Sequence, residues 1–181
     1  AYTEAVHRLT WLYVDEKKFA KAKSQLESAI AEKSNMPLLY LDLAGVYQQE
    51  ENWEKALSVL EDGLKKNPDN KDILYQKGVV YELSGKREES ILQMQELLKK
   101  DPEDAKVLNF IGYTWIEQGT NLDSAENYIR KALEKEPESG YIIDSLGWLY
   151  YQRGDYESAL NLLNKAFEKI KKLYKSLFIK S

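Results

Sequence analysis

The sequence has no cysteine and only one histidine, His7. The absence of cysteine excludes disulfides, thiolate metal sites and a cysteine nucleophile. A lone histidine cannot form the histidine and cysteine ligand set that zinc commonly uses. We therefore interpret His7 as an ordinary surface or groove residue and expect neither a metal nor a cofactor.

Long apolar runs and an excess of one charge are also missing. No hydrophobic run approaches the ~20 residues of a membrane span, so we expect no direct membrane span. Lys and Arg number 26 against 30 Asp and Glu, a net charge of −4 with both signs interspersed, so nucleic acid is not an expected partner. No glycine-rich phosphate loop is present, and acidic pairs such as Glu50–Glu51 fall on solvated helix faces. These absences argue against an enzyme.

The chain instead contains an internal repeat, whose register is set by its few prolines. Pro68 and Pro102 are 34 residues apart, and Pro137 follows after 35. Counting from these prolines predicts five repeats and a helical tail. The repeats span residues 3–36, 37–70, 71–104, 105–139 and 140–173, and the tail spans residues 174–181.

Residues of similar size recur at equivalent positions of the five repeats. Small side chains let two helix backbones approach closely, and an aromatic ring at the eleventh position fills the space between helix pairs. The rings are Tyr13, Tyr47, Tyr81, Trp115 and Tyr150. The small residues are Thr10, Ala44, Gly78, Gly112 and Gly147 at position eight, Ala22, Ala56, Ser90, Ala125 and Ala159 at position twenty, and Ala29, Gly63, Ala132 and Ala166 at position twenty-seven. Ala125 and Ala132 fall one position later because the fourth repeat has an extra residue.

This period and pattern resemble the tetratricopeptide repeat family over residues 3–173. The resemblance implies an all-α fold, a right-handed superhelical α-solenoid of five helix-turn-helix units plus a C-terminal helix extension, forming a single domain of residues 1–181. The third repeat departs most from the pattern, because Lys77, Ser90 and Leu97 stand where the family usually has Leu, Ala and Ala. We expect the larger Leu97 to widen the helix packing locally.

Several local features follow from residue chemistry. Asn35 is a predicted helix cap before Pro37, which suits a first helical turn because its missing N–H is not needed there. Asp69 or Asn70, and Asp101 or Asp104, are further predicted caps for the helices that follow them. One extra residue near Asn121 predicts a lengthened turn rather than a site. The first repeat begins with the apolar Val6, so its outer face is expected to need cover from an N-terminal neighbour.

Family geometry implies that the first helix of each repeat lines a concave groove. The predicted lining contains many aromatic and amide side chains, which suit a bound protein or peptide. It consists of Trp11, Leu41, Gln48, Tyr75, Asn109, Tyr113, Ile116, Tyr141, Asp144, Trp148, Tyr151 and Gln152. Tyr113, Trp148 and Tyr151 are the predicted anchors; the alternative is that these rings merely pack against the neighbouring helix.

One recognition mode of the family is absent. Some members grip a C-terminal carboxylate with lysine and asparagine side chains, and the fifth position of each repeat contributes to that clamp. Here the fifth positions hold no Lys or Arg; they are His7, Leu41, Tyr75, Asn109 and Asp144. Binding of chaperone tails in this way is therefore not expected.

The C-terminal tail continues a helical stripe beyond the fifth repeat, with no proline to end it. Its apolar residues are Phe167, Ile170, Tyr174 and Leu177, interspersed with lysines. Three interpretations remain open at this stage. The tail is a simple helix extension or the start of a further helix, a contact in a homo-oligomer or with a partner, or a helix lying on a membrane surface.

The fourth and fifth repeats show a narrower resemblance. The segments Leu108–Tyr113 and Ile143–Trp148, with the extra residue at Asn121, resemble the C-terminal repeats of bacterial envelope proteins of this family, often outer-membrane lipoproteins that act as adaptors. This resemblance implies the bacterial periplasm, with the cytoplasm as the alternative. The lipid-bearing cysteine of such proteins would lie upstream of Ala1.

Two functions follow from the sequence. The first is a non-catalytic scaffold or adaptor that binds a partner segment in the aromatic groove. The alternative is a self-assembling structural platform that uses the apolar stripe of the C-terminal helix.

Overall fold

The computed structural model describes residues 2–178, with side chains as far as residue 175. Residues 2–178 form ten α-helices and no strand. The helices are α1 (Tyr2–Asp15), α2 (Phe19–Glu32), α3 (Pro37–Gln49), α4 (Trp53–Lys66), α5 (Lys71–Leu83), α6 (Arg87–Lys100), α7 (Ala105–Glu117), α8 (Leu122–Lys135), α9 (Gly140–Gln152) and α10 (Tyr156–Phe178). The predicted all-α arrangement of five helix-turn-helix repeats is confirmed.

Packing divides the chain into two compact bodies, with the boundary between Leu97 and Leu98. The N-terminal body has two apolar cores. One joins α1, α2 and α3 around Leu26 and Leu39, and the other joins α3, α4 and α5 around Leu60 and Ile73. The C-terminal body has a core from α7, α8 and α9 around Ile129. The prediction of one domain over residues 1–181 stays a prediction.

The small residues lie where the two helices of a repeat touch. In the fourth repeat, a Cβ added to Gly112 would lie 2.7 Å from Cγ1 of Ile129 and 3.1 Å from the carbonyl oxygen of Ala125. Gly78 lies equally close to Met94. A larger side chain at Gly112 would force the helices apart because it would meet backbone as well as Ile129, whereas the flexible end of Met94 could move away from a side chain at position 78.

The third repeat accommodates its unusual residues individually. Ser90 is buried, and its hydroxyl donates a 2.8 Å hydrogen bond to the carbonyl oxygen of Gly78, which satisfies the polar group. Leu97 is also buried. Whether Leu97 widens the packing stays a prediction.

The predicted caps are confirmed at two helices and wrong at one. Asn70 accepts a hydrogen bond from the backbone N–H of Ile73 at 2.9 Å, and Asp104 accepts one from that of Val107 at 3.1 Å. Asn35 does not cap α3: the N-cap is Met36, in extended conformation and with no side-chain bond. The reason is that a residue directly before proline is held in extended conformation, so the helix starts one residue later.

The turns inside the repeats all use a left-handed residue. Glycine takes this conformation in the last three repeats, at Gly85, Gly119 and Gly154, whereas Lys17 and Glu51 take it in the first two. The turn between α7 and α8 holds four residues where the other four hold three. Asn121 adds a second left-handed residue there, which confirms the lengthened turn.

The C-terminal helix α10 runs for 23 residues, while the other helices have 13 or 14. The predicted helical extension is therefore confirmed as far as Phe178. The remainder of the predicted tail and the side chain of Leu177 lie outside the described residues. No helix within residues 2–178 has both the length and the apolar composition of a membrane span.

Replacing Gly154 with alanine is expected to lower the free energy of unfolding by about 1 kcal/mol, because its φ of +80° is costly for an L-residue. An added Cβ meets no atom within 4 Å, so the loss reports backbone conformation alone. The reciprocal change, Glu51→Gly, is expected to raise the free energy of unfolding by up to about 1 kcal/mol. Denaturant titration followed by circular dichroism measures both; equal losses in both variants would contradict this explanation.

Candidate partner-binding surfaces

In the N-terminal body, a buried carboxylate organises the first surface. Nδ1 of His7 lies 2.8 Å from Oδ1 and 3.0 Å from Oδ2 of Asp42, and the indole N–H of Trp11 donates a 3.1 Å bond to Oδ1. The indole ring lies against Gly45, where an added Cβ would be 3.1 Å from Cη2 of Trp11. We call His7, Trp11, Asp42 and Gly45 the Trp11 cluster. It joins α1 to α3.

Asp42 was not among the predicted site residues. The sequence signal is a single acidic residue between Leu41 and Leu43 in an otherwise apolar stretch, which indicates a buried charge with a dedicated partner. Burial raises the pKa of the Asp42 carboxyl, the nearby Glu4 carboxylate raises it further, and the bonds from His7 and Trp11 offset part of this rise.

The other predicted residues of the N-terminal body lie on α3 and α5. Leu41 is half-buried and packs on the core of α3, α4 and α5. The side-chain amide of Gln76 donates a 3.1 Å bond to Oε1 of Gln48. Within the described residues, Nε2 of Gln48 has no hydrogen-bond partner. Tyr75 is half-buried on α5.

In the C-terminal body, the three predicted anchors lie on one surface made by α7 and α9. The indole of Trp148 stacks on the ring of Tyr151, with centroids 4.8 Å apart and planes 9° apart. Its N–H donates a 2.6 Å bond to Oε1 of Glu117. Tyr113 and Tyr151 remain exposed at 40% and 46% of their surface. The rings are thus fixed in orientation and still accessible.

Two carboxylates lie beside these rings. Burial raises the pKa of Tyr113, and the charge of Glu117, its hydrogen bond and the charge of Asp144 raise it further. Burial alone raises the pKa of Asp144. We call Tyr113, Glu117, Asp144, Trp148 and Tyr151 the α7–α9 surface, which is aromatic and acidic at once.

The remaining predicted residues have different surroundings. The prediction for Ile116 is wrong: it is 0% exposed and packs in the C-terminal core with Leu149, because at this point α7 turns that side chain toward α9. Asn109 lies one turn before Tyr113, and its Oδ1 has no hydrogen-bond partner within the described residues. Gln152 is exposed at the end of α9.

Tyr141 contacts the C-terminal helix. A hydrogen bond with Tyr174 raises the pKa of Tyr141, so a predicted groove residue and a predicted oligomer residue meet. Ile170 is half-buried, and Gly140 leaves room for it, since a Cβ there would lie 2.6 Å from Cγ1 of Ile170. The role of Ile170 as an oligomer contact stays a prediction. Phe167 and Tyr174 are exposed.

No group of three His, Asp or Glu side chains that could hold a metal lies within the described part of the chain. The acidic side chains of the α7–α9 surface instead orient aromatic rings.

Comparisons with known proteins agree with this architecture. A family model described as tetratricopeptide repeat matches residues 13–69 and 48–112, and a second model of that description matches residues 141–176. Curated protein sequences give no match.

Solved structures share the fold. A tetratricopeptide repeat protein from Parabacteroides merdae has a TM-score of 0.67 at 22% identity, over 93% of this chain and 67% of that one. MamA from Desulfovibrio magneticus has 0.67 at 16% identity, over 94% and 96%. YrrB, described as having an unusual peptide-binding site, has 0.59 at 20% identity, over 97% and 90%. Identities this low establish the fold alone, a helical solenoid of repeats.

The Asp42→Asn variant is expected to gain stability relative to the unsubstituted protein as pH rises from below 3.8, the usual carboxyl pKa, to neutrality. A carboxyl whose pKa is raised by folding stabilises the folded state below its unfolded pKa and loses that contribution as pH rises through the folded value. Thermal unfolding of both proteins across this pH range measures the difference.

Asp155→Asn provides a control of opposite sign. The hydroxyl and backbone N–H of Ser158 lower the pKa of Asp155, so the stabilisation from its charge is lost as pH falls. This variant should therefore lose stability relative to the unsubstituted protein as pH rises. An Asp42→Asn advantage that shrinks toward neutral pH would show that the His7 contact outweighs the burial of Asp42.

Proposed function

Since the chain belongs to the tetratricopeptide repeat family, we propose that it is a non-catalytic scaffold that binds a segment of a partner protein. The observation that carries this proposal is the α7–α9 surface, where exposed aromatic rings are held in fixed orientations. Rings restrained in this way lose little entropy on binding and supply most of the energy at protein interfaces.

The proposed partner segment carries lysine or arginine beside apolar residues. Glu117 and Asp144 place negative charge beside Trp148 and Tyr113, and carboxylates near aromatic rings attract a cation through both charge and ring. Burial disfavours the ionised form of Asp144, and a docked cation would compensate for that cost. Lys106 begins the same helix face, so the acidic character is strongest toward Glu117 and Asp144.

A side-chain oxygen without a hydrogen-bond partner within the described residues supports binding to the backbone of the partner segment. Oδ1 of Asn109 lies one helical turn from Tyr113 and has no hydrogen-bond partner within the described residues. When the side chain turns outward, this oxygen can accept a bond from the N–H of an extended segment. YrrB, which shares the fold, is described as binding peptide, which is consistent with this use of the architecture.

The test uses two synthetic peptides with the same apolar residues, one with Lys and Arg and the other with Glu and Asp in their place. The basic peptide is expected to bind, with an affinity that falls as salt increases, and the acidic peptide is not. Trp148→Ala should weaken binding by about 30-fold, the loss of about 2 kcal/mol typical of a hot spot. Titration calorimetry measures both.

Three further variants complete the design. Tyr151→Ala truncates an exposed ring and gives a second reading that does not depend on the indole. Asp144→Asn should weaken binding several-fold and reduce its dependence on salt. Tyr2→Ala, an exposed ring on α1, is the matched control and should bind normally. Equal binding of the acidic peptide, or unchanged affinity after Trp148→Ala and Tyr151→Ala, would overturn the proposal.

A further inference from the structure

The inference concerns how each repeat covers the one before it, and it does not depend on the proposed function. In α3, α5 and α9, the third and tenth residues of the repeat are buried against the second helix of the preceding repeat. These residues are Leu39, Val46, Ile73, Val80, Ile142 and Leu149, all at most 3% exposed. The first helix of a repeat therefore carries an apolar face made to fit a preceding helix.

Within the described residues, nothing packs against the same face on α1. Its equivalent residues are Ala5 and Leu12, and Leu9 lies between them at the seventh position. Ala5 is exposed, and Leu9 and Leu12 are 40% and 60% exposed. We call Ala5, Leu9 and Leu12 the α1 end face. The exposed apolar face of the first repeat is thus formed by these residues and not by Val6, which is buried in the repeat's own core.

The opposite end shows the complementary feature. Position twenty-eight of a repeat is half-buried against the next repeat at Ile30, Leu64 and Leu133. The residue at this position in α10 is Phe167, which is 61% exposed. Leu160, about two helical turns earlier on the same face, is 62% exposed. We call Leu160 and Phe167 the α10 end face.

The residue at position twenty-one contacts the following repeat in the first and fourth repeats. Lys23 forms an ion pair with Glu50, and Glu126 forms one with Arg153; each pair joins the second helix of one repeat to the end of the next repeat's first helix. Leu160 occupies the same position in α10. The α10 end face is therefore a docking face for a first helix of the repeat type.

We propose that the α10 end face of one molecule binds the α1 end face of a second copy, which stacks as a following repeat would. The two faces supply the same pairing of residues as consecutive repeats: Phe167 takes the place of Leu133, and Leu9 and Leu12 take the places of Leu146 and Leu149. Charge supports this occupant, since α10 carries five Lys against two Glu, whereas α1 carries two acidic residues against one Arg.

The contact joins two different surfaces, so it is heterologous and leaves a free face at each end of the assembly. A second copy that binds still exposes its own α10 end face, and growth continues. The assembly therefore grows beyond two copies as concentration rises, and a closed two-fold dimer is not expected.

The test is the mass of the whole chain in solution, measured by light scattering and sedimentation over a wide concentration series. The unsubstituted protein should rise from 21.0 kDa past twice that value without a plateau. Phe167→Asp and Leu12→Asp should each stay at 21.0 kDa. Both side chains are more than half exposed, and circular dichroism checks that both variants remain folded.

Mixing the two variants gives the decisive measurement. Phe167→Asp retains an intact α1 end face and Leu12→Asp an intact α10 end face, so an equimolar mixture should form one-to-one dimers and nothing larger. Leu92→Asp is the matched control: Leu92 is 61% exposed on α6, at a position exposed in all five repeats. It should assemble like the unsubstituted protein.

Three results would overturn the proposal. The first is a chain that stays at 21.0 kDa at every concentration. The second is a dimer that Leu12→Asp leaves intact, which would show a two-fold contact through α10 alone. The third is a mixture of the two variants that remains monomeric. Since none of these results involves the peptides used above, failure here is distinguishable from failure of the proposed function.

Discussion

The close approach of paired helices at small residues is the constraint on which the other features depend. At Gly112 the space is so limited that even a methyl group would contact Ile129 at 2.7 Å. This spacing fixes how far apart successive first helices lie, and therefore which side chains on them meet. Trp148 of α9 reaches Glu117 of α7 at 2.6 Å because both helices are packed against α8 in one core. The acidic aromatic surface is a consequence of packing behind it.

Most of the fold could be predicted because repetition multiplies a weak local signal. A single glycine or alanine at a helix position means little, but five small residues at the same position of successive repeats specify a helix contact. The caps at Asn70 and Asp104 followed from short-range hydrogen bonding. The cap at Asn35 was wrong because the constraint from Pro37 acts on the directly preceding residue and outweighs cap preference.

The site was less predictable, since side-chain direction is decided by neighbours and not by position in the repeat. Trp11 and Trp148 both occupy the ninth position. Trp11 donates its indole N–H forward to Asp42 of the next repeat, whereas Trp148 donates backward to Glu117 of the preceding one. Position twelve likewise holds the buried Ile116 and the exposed Tyr151. No period in the sequence encodes these choices, and Asp42 was missed because its role appears only when His7 and Trp11 meet it.

The left-handed turn residues bear on the order in which the repeats unfold. Lys17 and Glu51 hold the strained conformation in the first two repeats, while glycine relieves it in the last three. In a repeat protein, stability is close to a sum of local terms and neighbour contacts, so strain near one end is not shared evenly along the chain. Helices α1 to α4 should therefore open before α9 and α10, and amide hydrogens in the first hairpin should exchange fastest with solvent. The order in which the repeats unfold is therefore set by Lys17 and Glu51, which occupy turn positions that glycine holds in the last three repeats.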